Sequence, residues 1–256
     1  MGGKKGKLDK ADRYALLEEH RPERIQARLH RAPKSQRVSD FVLGAIDGCV
    51  TTFAIVAGAF GAGFSEAVVL VMGFANLIAD GFSMAVSNYE ATSVERAQLA
   101  AATRTECQHI ALVPEGEREE IRQIFHRKGF HGEILEQIVA TITANRKLWI
   151  ETMLAEEYGI SRFARKPLGA ALVTFFAFIG VGAIPLLPYL VQPLDTTQQF
   201  YISTVLAACT FFAIGLCKGL VFSRRILASG LTTLIFGGAA AALALGIGFC
   251  LRSFIA

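Results

Sequence analysis

The chain has 256 residues, of which 52% are hydrophobic and 19% are charged, and its mean hydropathy is +0.41. This apolar share exceeds what one soluble core of this length uses, so the composition excludes a fully soluble enzyme, a disordered chain and a collagen-like chain. Five cysteines without a CxxC spacing predict small buried residues, not a disulfide or zinc framework. The formal net charge of +4 identifies no partner by itself.

The apolar residues are concentrated in five windows, each long enough to cross about 30 Å of hydrocarbon as a helix. The windows are residues 41–64, 67–89, 168–191, 198–221 and 226–251. We therefore predict an all-α membrane protein with five transmembrane helices. Its parts are a basic tail (1–39), transmembrane helices 1 and 2 (40–89), a helical insert (90–166) and transmembrane helices 3 to 5 (167–256).

Lysine and arginine predict the orientation of these helices. Alternate sides of the predicted membrane hold 25 and 1 of the 26 Lys and Arg residues. By the positive-inside rule the N-terminus and the insert are cytosolic, and the C-terminus is on the far side. The basic start has no apolar segment behind it, which argues against a cleaved signal peptide.

The tail mixes apolar and basic side chains and is divided by Pro22. It fits an interfacial amphipathic helix on anionic lipid headgroups and a solvated basic tail equally well. The residues that form the pattern are Leu16, Leu17, Arg21, Arg24, Ile25, Arg28, Leu29 and Arg31.

Two carboxylates interrupt the first two apolar windows. The turn at residues 61–66 is so short that the two helices must form an antiparallel hairpin, which brings Asp47 level with Asp80. Asn76, Asp80 and Met84 recur at every fourth residue and therefore share one helix face. Because an ionised carboxylate in lipid costs at least about 2.5 kcal/mol, we expect these groups to line a polar path. A cation or a proton between them would relieve their repulsion.

The donors on this face are hard oxygens and one thioether, a set that suits a borderline divalent transition metal better than calcium or magnesium. A structural interpretation stays open. In it, Asp47 and Asp80 bond to neighbouring hydroxyl groups as polar contacts between helices, and Met84 packs in the core.

The insert is predicted to form helices over residues 90–113, 115–128, 132–144 and 146–158, as a small bundle or as a continuation of the second transmembrane helix. One pair of acidic residues on a helix face is typical of a solvated surface. Pairs on successive helices favour a metal site, because converging carboxylates need cations. The candidate ligands are Glu106 with His109, Glu117 with Glu120, and Met153 with Glu156 and Glu157.

Several segments occur together in one order: DFVLGAIDGCVTTFAIVAGAFGAG, GFANLIADGFSMAVSNY, WIETMLAEEYGI, AIPLLPY and CKG. Across about residues 38–251 the chain resembles the vacuolar iron transporter family. The resemblance implies a five-helix fold and a homodimer with the ion path between subunits. It also implies transport of iron(II) out of the cytosol in exchange for protons, with manganese and other divalent ions as further substrates and no prosthetic group.

The resemblance assigns roles by position. Asp47 and Met84 match the family's intramembrane metal ligands. The matches to its cytosolic metal-binding helices are Glu106, Glu117, Glu120, Met153 and Glu157. The chain departs from the family's plant members at Asn76 and His109, where they have glutamates. Asp80 lies one helical turn from Asn76 and could replace the lost carboxylate, which is our inference and not the family's pattern.

Two other function classes compete with transport. A membrane-tethered metal-binding or sensing module would bind metal and move nothing. An intramembrane aspartyl protease would also use two carboxylates at one depth, but Asp47 lies in AIDG and Asp80 in IADG, so the YD and GxGD signatures are missing. The expected partners are divalent metal ions, protons, the bilayer and a second copy, without nucleic acid. A bacterial inner membrane and an organelle membrane such as that of the vacuole both fit the topology.

Overall fold

The computed structural model describes residues 10–29, 35–161, 165–191, 194–222 and 225–255. In these ranges the secondary structure is helical and contains no strand. The chain divides into two compact units, residues 1–34 and residues 35–256. The all-helical prediction is confirmed.

The first unit contains two short helices, α1 (Lys10–Glu19) and α2 (Pro22–Leu29). Helix α2 begins at Pro22, because proline lacks an N–H and is tolerated in the first turn of a helix. Tyr14 and Leu17 of α1 are exposed. The interfacial helix stays a prediction, and Arg31, which belongs to its pattern, lies outside the described residues.

The second unit begins with two long helices, α3 (Ser35–Ala62) and α4 (Glu66–Leu112). Three shorter helices follow within the insert: α5 (Pro114–Arg127), α6 (Gly132–Thr143) and α7 (Arg146–Glu156). The chain then forms α8 (Pro167–Gly182), a 3-10 helix (Ile184–Leu190), α9 (Thr196–Phe222) and α10 (Ile226–Ile255).

Four of these helices are long and apolar enough to cross a membrane: α3, α4, α9 and α10. Helix α8 and the 3-10 helix after it pass the same test only as a pair, which is bent by 41°. Pro185 and Pro188 lie in the 3-10 helix, where proline disfavours continuation of an α-helix. The predicted count of five therefore depends on whether this bent pair makes one span.

The turn between α3 and α4 sets the hairpin. Gly63 has a positive φ of 76°, a conformation that glycine adopts without steric cost. The N–H of Phe64 donates to the oxygen of Ala59 at 3.0 Å and the N–H of Gly63 to that of Phe60 at 3.1 Å. These two bonds form a Schellman motif, which ends α3 and reverses the chain.

Helix α3 is the central helix of the second unit and contacts α4, α8, α9 and α10. A Cβ added at Gly44 would lie 2.3 Å from the main-chain oxygen of Thr174, and one at Gly48 would lie 2.4 Å from that of Phe178. Both glycines therefore let α3 and α8 pack closely within one chain.

Helix α4 continues without a break from the membrane hairpin into the insert and ends at Leu112. It contacts α5 and α7, and α6 packs against both of these shorter helices. The core of the insert is apolar and consists of Ile121, Ile124, Leu135, Val139, Ile142, Trp149 and Met153. The insert is thus a continuation of the second transmembrane helix with three shorter helices packed beside it.

Candidate metal-binding site

Two carboxylates lie in the hairpin of α3 and α4. Asp47 is half-buried on α3 and Asp80 is exposed on α4. The two side chains are close enough for the charge of one to act on the other. The hydroxyl of Thr51 donates at 2.9 Å to the main-chain oxygen of Asp47, so it does not neutralise the carboxylate.

The other two residues of the predicted face of α4 have different surroundings. Asn76 donates a hydrogen bond from Nδ2 to Oδ2 of Asp80, while Oδ1 of Asn76 is buried without a hydrogen-bond partner. Met84 is partly buried and packs against the apolar core. Asn76 therefore orients Asp80 and keeps an acceptor oxygen available, whereas the side chain of Met84 contributes to packing.

The outward surface of α4 is apolar over much of its length. The large exposed side chains on it are Val71, Met72, Phe74, Ile78 and Phe82. With 3.6 residues per turn, Val71, Ile78 and Phe82 lie on the side of α4 away from Asp80, so Asp80 is exposed at the edge of this apolar surface.

A second group of carboxylates lies in the insert, and we refer to Glu106, Glu117, Glu120 and Glu157 as the acidic cluster. Glu106 of α4 is completely buried, and Glu117 of α5 is 4% exposed. The hydroxyl of Tyr158 donates to Oε1 of Glu106 at 3.0 Å. Nδ1 of His109 lies 3.2 Å from Oε1 of Glu117. The fold therefore gathers groups from α4, α5 and the end of α7 into one place.

Two oxygens of the acidic cluster have no partner. Oε2 of Glu106 and Oε2 of Glu117 are buried without a hydrogen bond, a costly arrangement for an ionised carboxylate. Burial, the charges of Glu106 and Glu120, and the hydrogen bond that protonated Glu117 makes with Glu106 raise the pKa of Glu117 to about 7. Burial and the same two charges also raise the pKa of Glu157. Glu117 therefore exchanges its proton near neutral pH and can release it to a bound cation.

The remaining predicted ligands differ in how they are placed. Glu120 is exposed, and its charge acts on Glu117 and Glu157. Met153 is completely buried in the apolar core of the insert. Glu156 forms an ion pair with Lys128. Within the described ranges, no three His, Cys, Asp or Glu side chains are close enough together to hold one ion.

Tyr158 is the member of this site that the sequence did not predict. It follows Glu157 directly, but α7 ends at Glu156, so no helical spacing relates it to the other candidates. Its hydroxyl reaches Glu106 across the fold. The one sequence feature that could have indicated Tyr158 is its place directly after Glu156 and Glu157. An aromatic residue next to acidic residues is also common in solvated helices, so this feature does not identify a site.

Comparison of the sequence with known proteins identifies the family of this chain. The model of the VIT family matches residues 38–249 of the chain. The chain is 30% identical over 247 residues to vacuolar iron transporter 2 of Oryza sativa subsp. japonica, covering 96% of the chain and 97% of the relative.

Other relatives give the same result. The chain is 29% identical to the vacuolar iron transporter of Centaurea cyanus over 246 residues, covering 94% of the chain and 96% of the relative. It is 28% identical to vacuolar iron transporter 1 of Arabidopsis thaliana, covering 95% and 93%. The alignments span nearly the full length of both proteins in each comparison. The chain therefore belongs to the VIT family, the family of the vacuolar iron transporters.

Proposed function

We propose that this chain is a transporter of divalent transition metal, with iron(II) as its substrate and manganese as a second one, and not an enzyme. It moves the ion out of the cytosol in exchange for protons. Family membership supports metal transport, because the relatives are named iron transporters. The membrane is that of a vacuole or similar organelle, as the relatives' names suggest, and a bacterial inner membrane fits the same charge distribution.

The observation that carries the proposal is the pair of buried, unpartnered oxygens on Glu106 and Glu117. Each belongs to a carboxylate that ionises at a cost unless a cation stands beside it. With the pKa of Glu117 raised to about 7, a metal ion arriving at neutral pH displaces a proton. Binding would draw the acidic cluster together around the ion, with His109 and the thioether of Met153 as softer donors.

Asp47 and Asp80 provide the second half of the proposed route. Asp80 lies close enough for its charge to act on Asp47, and a cation between two carboxylates relieves their repulsion. Asn76 adds an amide oxygen without a hydrogen-bond partner, and Met84 adds a thioether. A divalent ion leaving this pair would be replaced by protons, which is the chemistry of exchange.

The exposed carboxylate of Asp80 supports a homodimer. In lipid this group would cost at least about 2.5 kcal/mol if ionised, whereas a second copy packed against this side of α4 would remove it from contact with lipid. We propose that two copies meet along this side of α4 with the ion path between them. The insert then lies in the cytosol, with five spans per chain and the C-terminus on the far side.

The test is metal flux into proteoliposomes that contain a pH-sensitive dye, with purified full-length protein. We expect Fe(II) and Mn(II) uptake with proton movement in the opposite direction. Asp47→Asn should abolish uptake and leave metal binding by the insert intact, because it removes the intramembrane charge alone. Normal uptake by this variant would contradict the proposal.

A matched control removes a carboxylate elsewhere. Asp195→Asn replaces an exposed group before α9, where Oδ1 accepts a hydrogen bond from the N–H of Gln198 at 2.8 Å, a bond that asparagine also makes. Its uptake should equal that of the wild type. Metal binding without uptake by the wild type would instead identify a tethered binding module.

A further inference from the structure

A buried polar network joins α3, α4 and α8. It lies at the ends of their transmembrane segments that are next to the tail or the insert in the sequence. Asp40 of α3 is 4% exposed. Nδ2 of Asn88 on α4 donates to Oδ1 of Asp40 at 3.1 Å and to Oγ1 of Thr174 on α8 at 2.8 Å. The hydroxyl of Thr174 donates to the main-chain oxygen of Asp40 at 3.3 Å. A buried carboxylate with these neutral partners still needs a positive charge.

Arg165 provides that charge. Its Nη1 donates to Oδ1 of Asp40 at 2.9 Å. Its Nη2 and Nε donate to the two carboxylate oxygens of Glu95 on α4, at 2.7 and 3.3 Å. A planar guanidinium can make such a fork and an ammonium group cannot. One side chain therefore joins α3 to α4 from a position between α7 and α8, at the end of the insert.

The same part of the chain also reaches the acidic cluster. Tyr158, just after α7, donates to Glu106, and Arg165 lies a few residues further along. Glu95 and Glu106 both belong to α4. A cation bound at Glu106 therefore acts on the same helix, α4, that Arg165 holds through Glu95.

A further buried hydroxyl group, that of Thr92, lies near Asn88 along α4. Thr92 is completely buried in α4, one turn beyond Asn88, and its hydroxyl has no hydrogen-bond partner. Buried polar groups are usually satisfied, so an arrangement with a different set of bonds is open to this network. Coupling between two sites requires an element with two discrete arrangements.

We propose that Arg165 is a positioning residue that couples metal loading of the acidic cluster to the transmembrane helices carrying Asp47 and Asp80. The inference rests on the proposed transport function and goes beyond it. Arg165 contacts no metal ion. It holds the part of α4 that lies in the insert against α3. A displacement of α4 caused by metal binding at Glu106 is therefore transmitted to α3.

The experiment compares Arg165→Gln with the wild type in proteoliposomes, using Mn(II) because it is stable to air. We expect the Mn(II) concentration for half-maximal uptake to rise about fivefold or more, the usual lower size of an allosteric coupling. The number of Mn(II) ions bound per chain in detergent should stay the same. Arg104→Gln is the matched control, because Arg104 is exposed and donates to the main chain of its own helix; it should behave as wild type.

A double variant separates coupling from structural damage. Glu106→Gln alone should also raise the half-maximal concentration, and adding Arg165→Gln should raise it no further, because the proposed coupling begins at Glu106 and passes through Arg165. Effects that multiply would overturn the proposal. Arg165→Lys should restore part of the response, since it keeps the charge and loses the fork.

If Arg165→Gln does not yield folded protein, Glu95→Gln replaces it in the experiment. This substitution removes the ion pair between Arg165 and Glu95 and leaves the pair between Arg165 and Asp40 intact. It should shift the half-maximal concentration in the same direction by a smaller factor, and no shift would overturn the proposal. Failure of the transport function itself would be seen in the wild type as binding without flux, and the coupling would fall with it. Wild-type flux with an unshifted Arg165→Gln overturns the coupling alone.

Discussion

Glu117 shows how one side chain can join metal binding to proton release. It is buried, His109 is its one close basic neighbour among the residues that the structure describes, and one of its oxygens has no hydrogen-bond partner. The pKa of its carboxyl is near 4.5 in ordinary surroundings and is raised to about 7 by burial and by the nearby charges of Glu106 and Glu120. The folded chain therefore binds this proton more tightly than the unfolded chain does.

This shift predicts how the stability of the metal-free insert depends on pH. The stabilising proton is present at acidic pH, and the stability falls as the pH rises through the window between the two pKa values. Glu117→Gln should weaken this dependence, of which the raised pKa of Glu157 keeps a part, and should raise the free energy of unfolding at about pH 8 by on the order of 2 kcal/mol. Fluorescence of Trp149, the one tryptophan in the sequence, reports urea unfolding of the insert in full-length protein with a chelator present.

The control for this prediction is Glu115→Gln. Glu115 is exposed and pairs with Arg118, so its substitution should change the free energy of unfolding by less than about 0.5 kcal/mol. If the stability of the Glu117→Gln variant falls with rising pH as steeply as that of the wild type, Glu117 is not the main group responsible.

Met153 allows packing to be separated from metal binding. Its side chain is completely buried in the apolar core of the insert, and leucine has a similar volume. Met153→Leu should change the free energy of unfolding by less than about 1.5 kcal/mol. If the thioether is a ligand, the variant should bind Fe(II) more weakly while binding Mn(II) as before, because sulfur favours the softer ion. Titration with both ions measures this, and equal affinities in both proteins would leave Met153 a packing residue.

At the scale of the element, α4 links the two candidate sites mechanically. Its 47 residues make a helix of about 70 Å, more than twice the hydrocarbon thickness of about 30 Å. Asp80 and Glu106 lie on this one continuous helix. A rotation or tilt of α4 therefore moves both sites together.

The close packing of α3 against α8 makes Gly48 sensitive to substitution. A Cβ there would lie 2.4 Å from the main-chain oxygen of Phe178, and a main-chain atom cannot move away without shifting α8. We expect Gly48→Ala to lower the stability of the protein by about 1–3 kcal/mol, measured as a lower Tm by circular dichroism in detergent.

The control lies on α8 itself. A Cβ at Gly180 would meet nothing within 4 Å, so Gly180→Ala should leave the Tm unchanged or raise it slightly, because alanine favours helix. A Gly48→Ala variant as stable as this control would mean that the two helices are not packed as described.

At the scale of the whole molecule, the side of α4 that carries Asp80 leads to a test of assembly. Ser83 is exposed on this side of α4. In a chain whose native cysteines are replaced by alanine, Ser83→Cys should form an intermolecular disulfide in membranes, because the proposed dimer brings two copies of α4 together. Non-reducing electrophoresis measures the product.

Thr232 provides the comparison for this experiment. It is exposed on α10, and Thr232→Cys in the same background should stay monomeric. Cross-linking of both variants alike would indicate random collision in the membrane, and cross-linking of neither would contradict a dimer through α4.

Local sequence patterns determined much of this protein. Long apolar windows predicted the membrane helices, because lipid cannot satisfy a backbone polar group and so demands helix. Spacing of four residues placed Asn76 and Asp80 on one face, and the short glycine turn fixed the hairpin. Pro114 and Gly132 indicated the boundaries between helices of the insert. The bounds of α4 to α7 agree with the predicted boundaries within a few residues.

Only the tertiary structure decided which side chains meet. Glu106 and Tyr158, and Asp40 and Arg165, are far apart along the chain, and helical spacing cannot relate residues on different helices. The same holds for Glu156, which has the spacing of a ligand but pairs with Lys128. Periodicity fixes the face of each helix, whereas burial and pairing depend on how those faces pack, and this packing gave two carboxylates of the insert a buried oxygen with no partner.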